Sequence, residues 1–215
     1  MRRTLLLLVL LVGGCTSGFV IRNATPERVA CMQTFLTQEE TRFFTVFPEA
    51  RRPAGPLVFV MTASYAEFEA YGRRVDKVNV GWMISYYSPM TKEAVIIAGV
   101  PDRILSHELA HQLADLGGLN RREFWFTEGL ATNFEQNDDR LWARLLEAKR
   151  EGRLLPLDVF GSMTGAGVDP LDSYAEAWGV FRYLLLTHRT LLFSGKPIDL
   201  AVYQQDFERF IDYLR

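Results

Sequence analysis

An α+β fold is predicted for this 215-residue chain by the order of its patterns, with strand-like runs in the first half and helix-like segments later. Three observations carry that expectation. Leu57-Val58-Phe59-Val60-Met61 is a short apolar run bounded by chain breakers, the pattern of a buried strand. Two further runs, Val80 to Tyr87 and Ala94 to Ala98, flank Ser88-Pro89-Met90-Thr91 as the arms of a hairpin would. Beyond Pro101 the segments read mainly as helices. A hydrophobic content of 48% suits a packed core, and there is no repeat, low-complexity stretch or linker. One domain is therefore expected over residues 25–215.

The elements follow in order. Met1-Arg2-Arg3 is a basic start, Thr4 to Val12 is almost unbroken apolar sequence, and Gly13-Gly14 follows, which together read as a secretory signal peptide over residues 1–14. Residues 15–24 are expected as a short tether. Thr25 can cap a first helix, with Pro26 at its first position, that runs to about Val46. Val29, Met32, Phe35, Leu36, Phe43 and Val46 give it an apolar face, and Cys31 is expected there as a small apolar side chain. Ser64-x-x-Glu67 is a capping box for a short helix to about Tyr71. After the hairpin, Asp102 is placed as the N-cap of a helix that Gly117-Gly118 ends. Further helices are expected around Glu128 to Glu135, Asp139 to Arg150, Ser173 to about His188, and Asp199 to Leu214. Ser173 and Glu176 read as the cap of the third of these four.

The helix after Asp102 carries His107-Glu108-Leu109-Ala110-His111. Residues four apart share a helix face, so His107 and His111 can close on one metal ion, while Glu108 sits about 100° further round, near where a metal-bound water would rest. Seventeen residues beyond His111 stands Glu128, within Trp125-Phe126-Thr127-Glu128-Gly129-Leu130-Ala131, a residue type suited to a third ligand. Catalytic zinc sites use three protein ligands and leave the fourth position to water. Two imidazoles and a carboxylate keep the ion Lewis acidic, which brings the pKa of its water down to about 7. Glu108 would take that proton as the water attacks a carbonyl, then pass it to the leaving amine.

HExxH followed by Glu128-Gly129-Leu130-Ala131 resembles the gluzincin branch of zinc metallopeptidases, and most closely its uncharacterised bacterial members with a Trp-x-x-Glu-Gly-x-Ala stretch. Those are similar again downstream, where a Tyr-Ala-x-x-Trp helix occurs, here Tyr174-Ala175-Glu176-Ala177-Trp178. The likeness spans about Val95 to Leu186. It implies a zincin-like fold, with a small mixed β-sheet over the HExxH helix and a mainly helical C-terminal half. It also implies an edge strand that pairs with an extended peptide, for which the hairpin strand just before the helix is the candidate. Carried over by position, His107, His111 and Glu128 become Zn2+ ligands and Glu108 the base. The sequence departs from the pattern where an aspartate four residues after the third ligand is replaced by Thr132. Support behind the ligands is then unassigned: Asp115, one turn beyond His111, is either that support or a solvated acid.

Other residues keep two readings. Tyr174 is either a hydrogen-bond donor to the oxyanion or a packing tyrosine at a helix start, after a mobile-looking Gly161–Gly167 loop. Trp178, Phe181, Leu184 and Leu185 read as core, and His188 as a helix-end cation rather than a ligand. Arg121-Arg122 is a solvated pair or a contact for a substrate carboxylate. Val12-Gly13-Gly14-Cys15 resembles a bacterial lipobox, which would make Cys15 a lipidated N-terminus; the alternative is an ordinary signal peptide with an incidental cysteine.

Loss of Arg2 and Arg3 from the 24 basic residues leaves 22 against 26 acidic ones, a formal charge of −4 rather than −2. That balance carries no footprint for nucleic acid, and any membrane contact falls to the lipid. By resemblance to bacterial lipoproteins, Thr16 in place of aspartate favours the outer membrane, facing the periplasm. The expected function is a membrane-anchored zinc peptidase that hydrolyses peptide bonds. A non-catalytic envelope lipoprotein that retains the fold is the alternative from another class, and hydrolysis of a different amide is a third.

Overall fold

A computed structural model of the chain describes residues 18–77, 80–81, 83–119, 123–135, 137–162 and 169–213. The signal segment and Cys15 lie outside them. The chain divides between Gly118 and Leu119 into two compact units. The described elements are helices and one four-stranded mixed sheet, an α+β composition.

In the first unit β1 (Phe19–Arg22), β2 (Leu57–Thr62), β3 (Ser85–Ser88) and β4 (Glu93–Ile97) form a sheet in the order β1-β2-β4-β3. β1 and β4 run parallel to β2, and β3 is antiparallel to β4. Residues 19–22, expected as tether, are thus a strand: Phe19 pairs with Leu57 and its ring packs 6.4 Å from that of Phe59. Four residues beside a breaker-rich stretch gave no periodicity to read. The hairpin forms, yet its first arm is only Ser85–Ser88, and β3 is one of the sheet's two edge strands. β4, the expected edge, is interior because β2 takes its other side.

Helix α1 (Pro26–Val46) starts as its sequence directs, with the Thr25 hydroxyl accepting from the Arg28 N–H at 3.3 Å and Pro26 in the first turn. Met32, Leu36 and Phe43 are buried, whereas Cys31 is exposed. Ser64 caps α2 (Tyr65–Tyr71), its hydroxyl accepting from the Glu67 N–H at 3.2 Å, while the Glu67 carboxylate reaches back one residue further than a capping box and accepts from the Ala63 N–H at 2.9 Å. The helix then runs into a π-helical turn, Gly72–Asp76, where the sequence reading ended it. Strand alternation places Val60 and Val95 on one sheet face, with Phe68 and Val80, and leaves Phe59, Met61, Ala94 and Ile96 buried on the other.

α3 (Asp102–Leu116) carries the HExxH stretch. Asp102 is its first residue rather than its cap: Pro101 holds the cap position without a side-chain bond, and Asp102 lies 3.6 Å from Arg28. An acid there still opposes the positive helix end. Gly117 ends α3 as expected; a Cβ on it would clash with the Leu113 carbonyl oxygen, and Gly118 follows at φ +81°.

The regular elements described in the second unit are all helical: α4 (Phe124–Phe134), α5 (Asp138–Arg150), α6 (Leu157–Ser162), α7 (Pro170–Thr187), α8 (Arg189–Leu192), a 3₁₀ turn (Leu200–Tyr203) and α9 (Gln204–Tyr213). α7 begins three residues before the expected Ser173. Asp169 caps it by accepting from the Leu171 N–H at 2.8 Å, Pro170 opens it, and the Ser173 hydroxyl donates back to the Asp169 carbonyl. The Asp-Pro pair was the stronger start signal. Trp125, Phe126, Leu130, Phe134, Leu145, Phe160, Phe181 and Phe207 are all buried.

Candidate metal centre

α3 is seated by its apolar stripe. Leu105, Leu109, Ala110 and Leu113 are buried, and the buried Gln112 donates from Nε2 to the Val58 carbonyl of β2 at 2.7 Å. Helical phase then leaves His107 and His111, four apart, partly exposed side by side. Their Nε2 atoms are 3.2 Å apart, with ring centroids at 4.8 Å and planes at 76°. Two nitrogens each about 2.05 Å from one tetrahedral ion would stand about 3.3 Å apart. Without such an ion, two facing imidazole nitrogens must share one proton between them. Glu108 is 2% exposed on the same helix.

Behind His111 lies an aromatic side chain that the sequence reading missed. The Tyr87 ring of β3 is nearly parallel to that of His111, 9° between planes and 6.4 Å between centroids. The Tyr87 hydroxyl donates to Asp115 Oδ2 at 2.5 Å, and the Lys92 ammonium donates to the same oxygen at 2.6 Å. Burial, and then the hydrogen bond to Asp115, raise the Tyr87 hydroxyl well above its usual titration range, so it stays a donor. Asp115 is therefore not merely a solvated acid at a helix end.

Glu128 is carried by α4, whose position in the second unit depends on its neighbour Gly129. A Cβ on Gly129 would meet the Ala177 carbonyl oxygen at 2.5 Å and the Phe181 Cβ at 2.6 Å. The glycine of the Glu-Gly pair thus permits α4 and α7 to cross in backbone contact. Asn133 locks the crossing by donating to the Gly129 carbonyl at 2.7 Å and the Trp178 carbonyl at 2.9 Å. Thr132, at the place of the missing aspartate, turns its hydroxyl to the Glu128 carbonyl at 2.6 Å. It has no proton left to orient a histidine.

Among the described residues, His107, His111 and Glu128 are a group that could hold a metal ion, each offering one ligand atom. Two imidazoles and a carboxylate are a donor set that fits zinc, although other divalent ions accept it as well. Tyr174 is partly buried, not at the helix start, and packs edge-on to Phe124 at 5.8 Å. Trp178 is core with a polar handle, its indole N–H donating to Asp138 at 3.0 Å. His188 packs among aromatic rings, 4.9 Å from Tyr203 and 5.7 Å from Tyr183. Arg121, Arg122, Cys15 and residues 163–167 lie outside the described residues.

Comparison with protein-family models finds no match for this chain, and comparison with curated proteins finds none either.

Proposed function

We propose that this chain is a zinc-dependent peptidase of gluzincin type with a zincin-like fold, and that Cys15 carries a lipid holding it at the bacterial envelope. One observation supports the reading above all: the His107 and His111 imidazole nitrogens stand at the separation an ion imposes. His107, His111 and Glu128 would hold the metal, which when bound would supply Lewis acidity toward a carbonyl and toward water. Glu108 accepts the proton of the attacking water and returns it to the leaving amine, the role its burial on the histidine helix suits. Tyr174 donates to the oxygen that gains charge. β3, an edge strand, offers its outer side to an extended peptide or protein substrate. The lipid on Cys15 holds the chain at the outer membrane, facing the periplasm.

The test is Glu108→Gln, assayed for zinc content and for cleavage of a denatured protein substrate. Zinc retained with cleavage reduced at least a hundredfold is the expected outcome. Equal cleavage in variant and parent removes the base assignment. A parent that holds zinc and cleaves nothing favours the non-catalytic envelope protein.

A further inference from the structure

We infer that Tyr87 and Asp115 are positioning residues for His111, fixing the plane of its imidazole and tying the edge strand to the ligand helix. The inference deepens the metal reading above and rests on it. An imidazole binds a metal through a lone pair in the ring plane, so rotation about the ring's own axis carries that lone pair off target. Ligating histidines are held against such rotation by groups behind them, whose loss costs 10- to 100-fold in metal affinity.

The near-parallel Tyr87 ring is placed to restrict that rotation. It is itself held, because its hydroxyl donates to Asp115, which lies one helical turn beyond His111 on α3. Lys92 donates to the same Asp115 oxygen from the hairpin turn, in a left-handed conformation at φ 59°. Tyr87 and Lys92 thus approach one carboxylate from both sides of the β3–β4 turn, and the strand's edge moves with the helix. The opposite face of β3 is anchored separately. Tyr86 donates to Asp76 Oδ2 at 2.7 Å, and Ser88 donates to the other oxygen of the same carboxylate. Strand alternation makes Tyr86 a matched control, one residue away, equally hydrogen-bonded, and turned from the histidines.

The experiment measures zinc dissociation constants by chelator competition on the full chain. Alongside them, the denaturation midpoint of each metal-free variant is recorded. Tyr87→Phe and Asp115→Asn are expected to weaken zinc about tenfold or more, and Tyr87→Leu further still, since it loses the ring as well. Tyr86→Phe is expected to lower the metal-free midpoint by a similar amount and leave zinc affinity within twofold of the parent. Parental affinity in Tyr87→Leu and Asp115→Asn overturns the inference while leaving the metal centre intact. So does an equal loss of affinity in Tyr86→Phe, which would report general loosening. A parent that binds no zinc removes the metal reading, and the inference with it.

Discussion

In the first unit the histidine helix is held to its sheet by polar side chains that reach across: Gln112 to a β2 carbonyl, and Asp115 to Tyr87 and Lys92. In the second, the Glu128 helix is held to α7 by near contact of backbones at Gly129, with Asn133 closing the crossing. The two kinds of support fail differently. A lost hydrogen bond costs about 1 kcal/mol, and up to about 3 when it strands a buried partner. An atom inserted between backbones has nowhere to go. Glu128 therefore depends on the absence of a side chain next to it, and the histidines on the presence of several.

The largest effect should come from the steric side of that contrast. Gly129→Ala favours the helix by up to about 1 kcal/mol in propensity, yet its methyl would sit 2.5 Å from the Ala177 oxygen. Overpacking costs about 1–3 kcal/mol and more where backbone must move, so the clash wins. Denaturation should show a clear net loss of stability, and a neutral or stabilised variant would mean that α4 and α7 do not cross this closely.

Next in size is a titration inside α7. Glu176 is 2% exposed; its Oε2 accepts from the Leu155 N–H at 3.4 Å and its Oε1 meets no partner among the described residues. Burial raises its pKa to about 8, against a smaller opposing pull from the Leu155 N–H. Because the folded value lies above the unfolded one, its stabilising share is complete below about pH 4.5 and fades as pH rises through about 8. Glu176→Gln should flatten the stability-versus-pH curve in that window, removing a slope of up to about 1.4 kcal/mol per pH unit. Parallel curves for parent and variant would mean that the carboxyl is hydrated. The smallest effect belongs to Gln112→Met, about 1 kcal/mol, because losing the bond to Val58 is partly offset by removing a buried Oε1 with no partner among the described residues.

This contrast also explains what could be read in the sequence. Helical spacing alone places His107 and His111 together, because the helix period is fixed and the flanking leucines fix the buried side. Thr25-Pro26 and Gly117-Gly118 carry their own stop and start chemistry, and both act as read. β1 was illegible because a four-residue strand owes its existence to its partner β2. The length of β3 and its place at the edge depend on strand pairing, which no local pattern states. Tyr87 was missed for the same reason: its meeting with His111 depends on register and on which face of β3 turns to the helix. Gly129 was visible only as a motif letter, and its purpose needs the backbone of α7 beside it.

Zinc content of the full chain purified without added metal, set beside that of Glu128→Ala, decides whether the three residues form a metal centre. About one zinc per parent chain is expected and much less in the variant, since two imidazoles alone hold zinc weakly. A well-folded parent without zinc, or a variant that keeps its full complement, would contradict that metal centre.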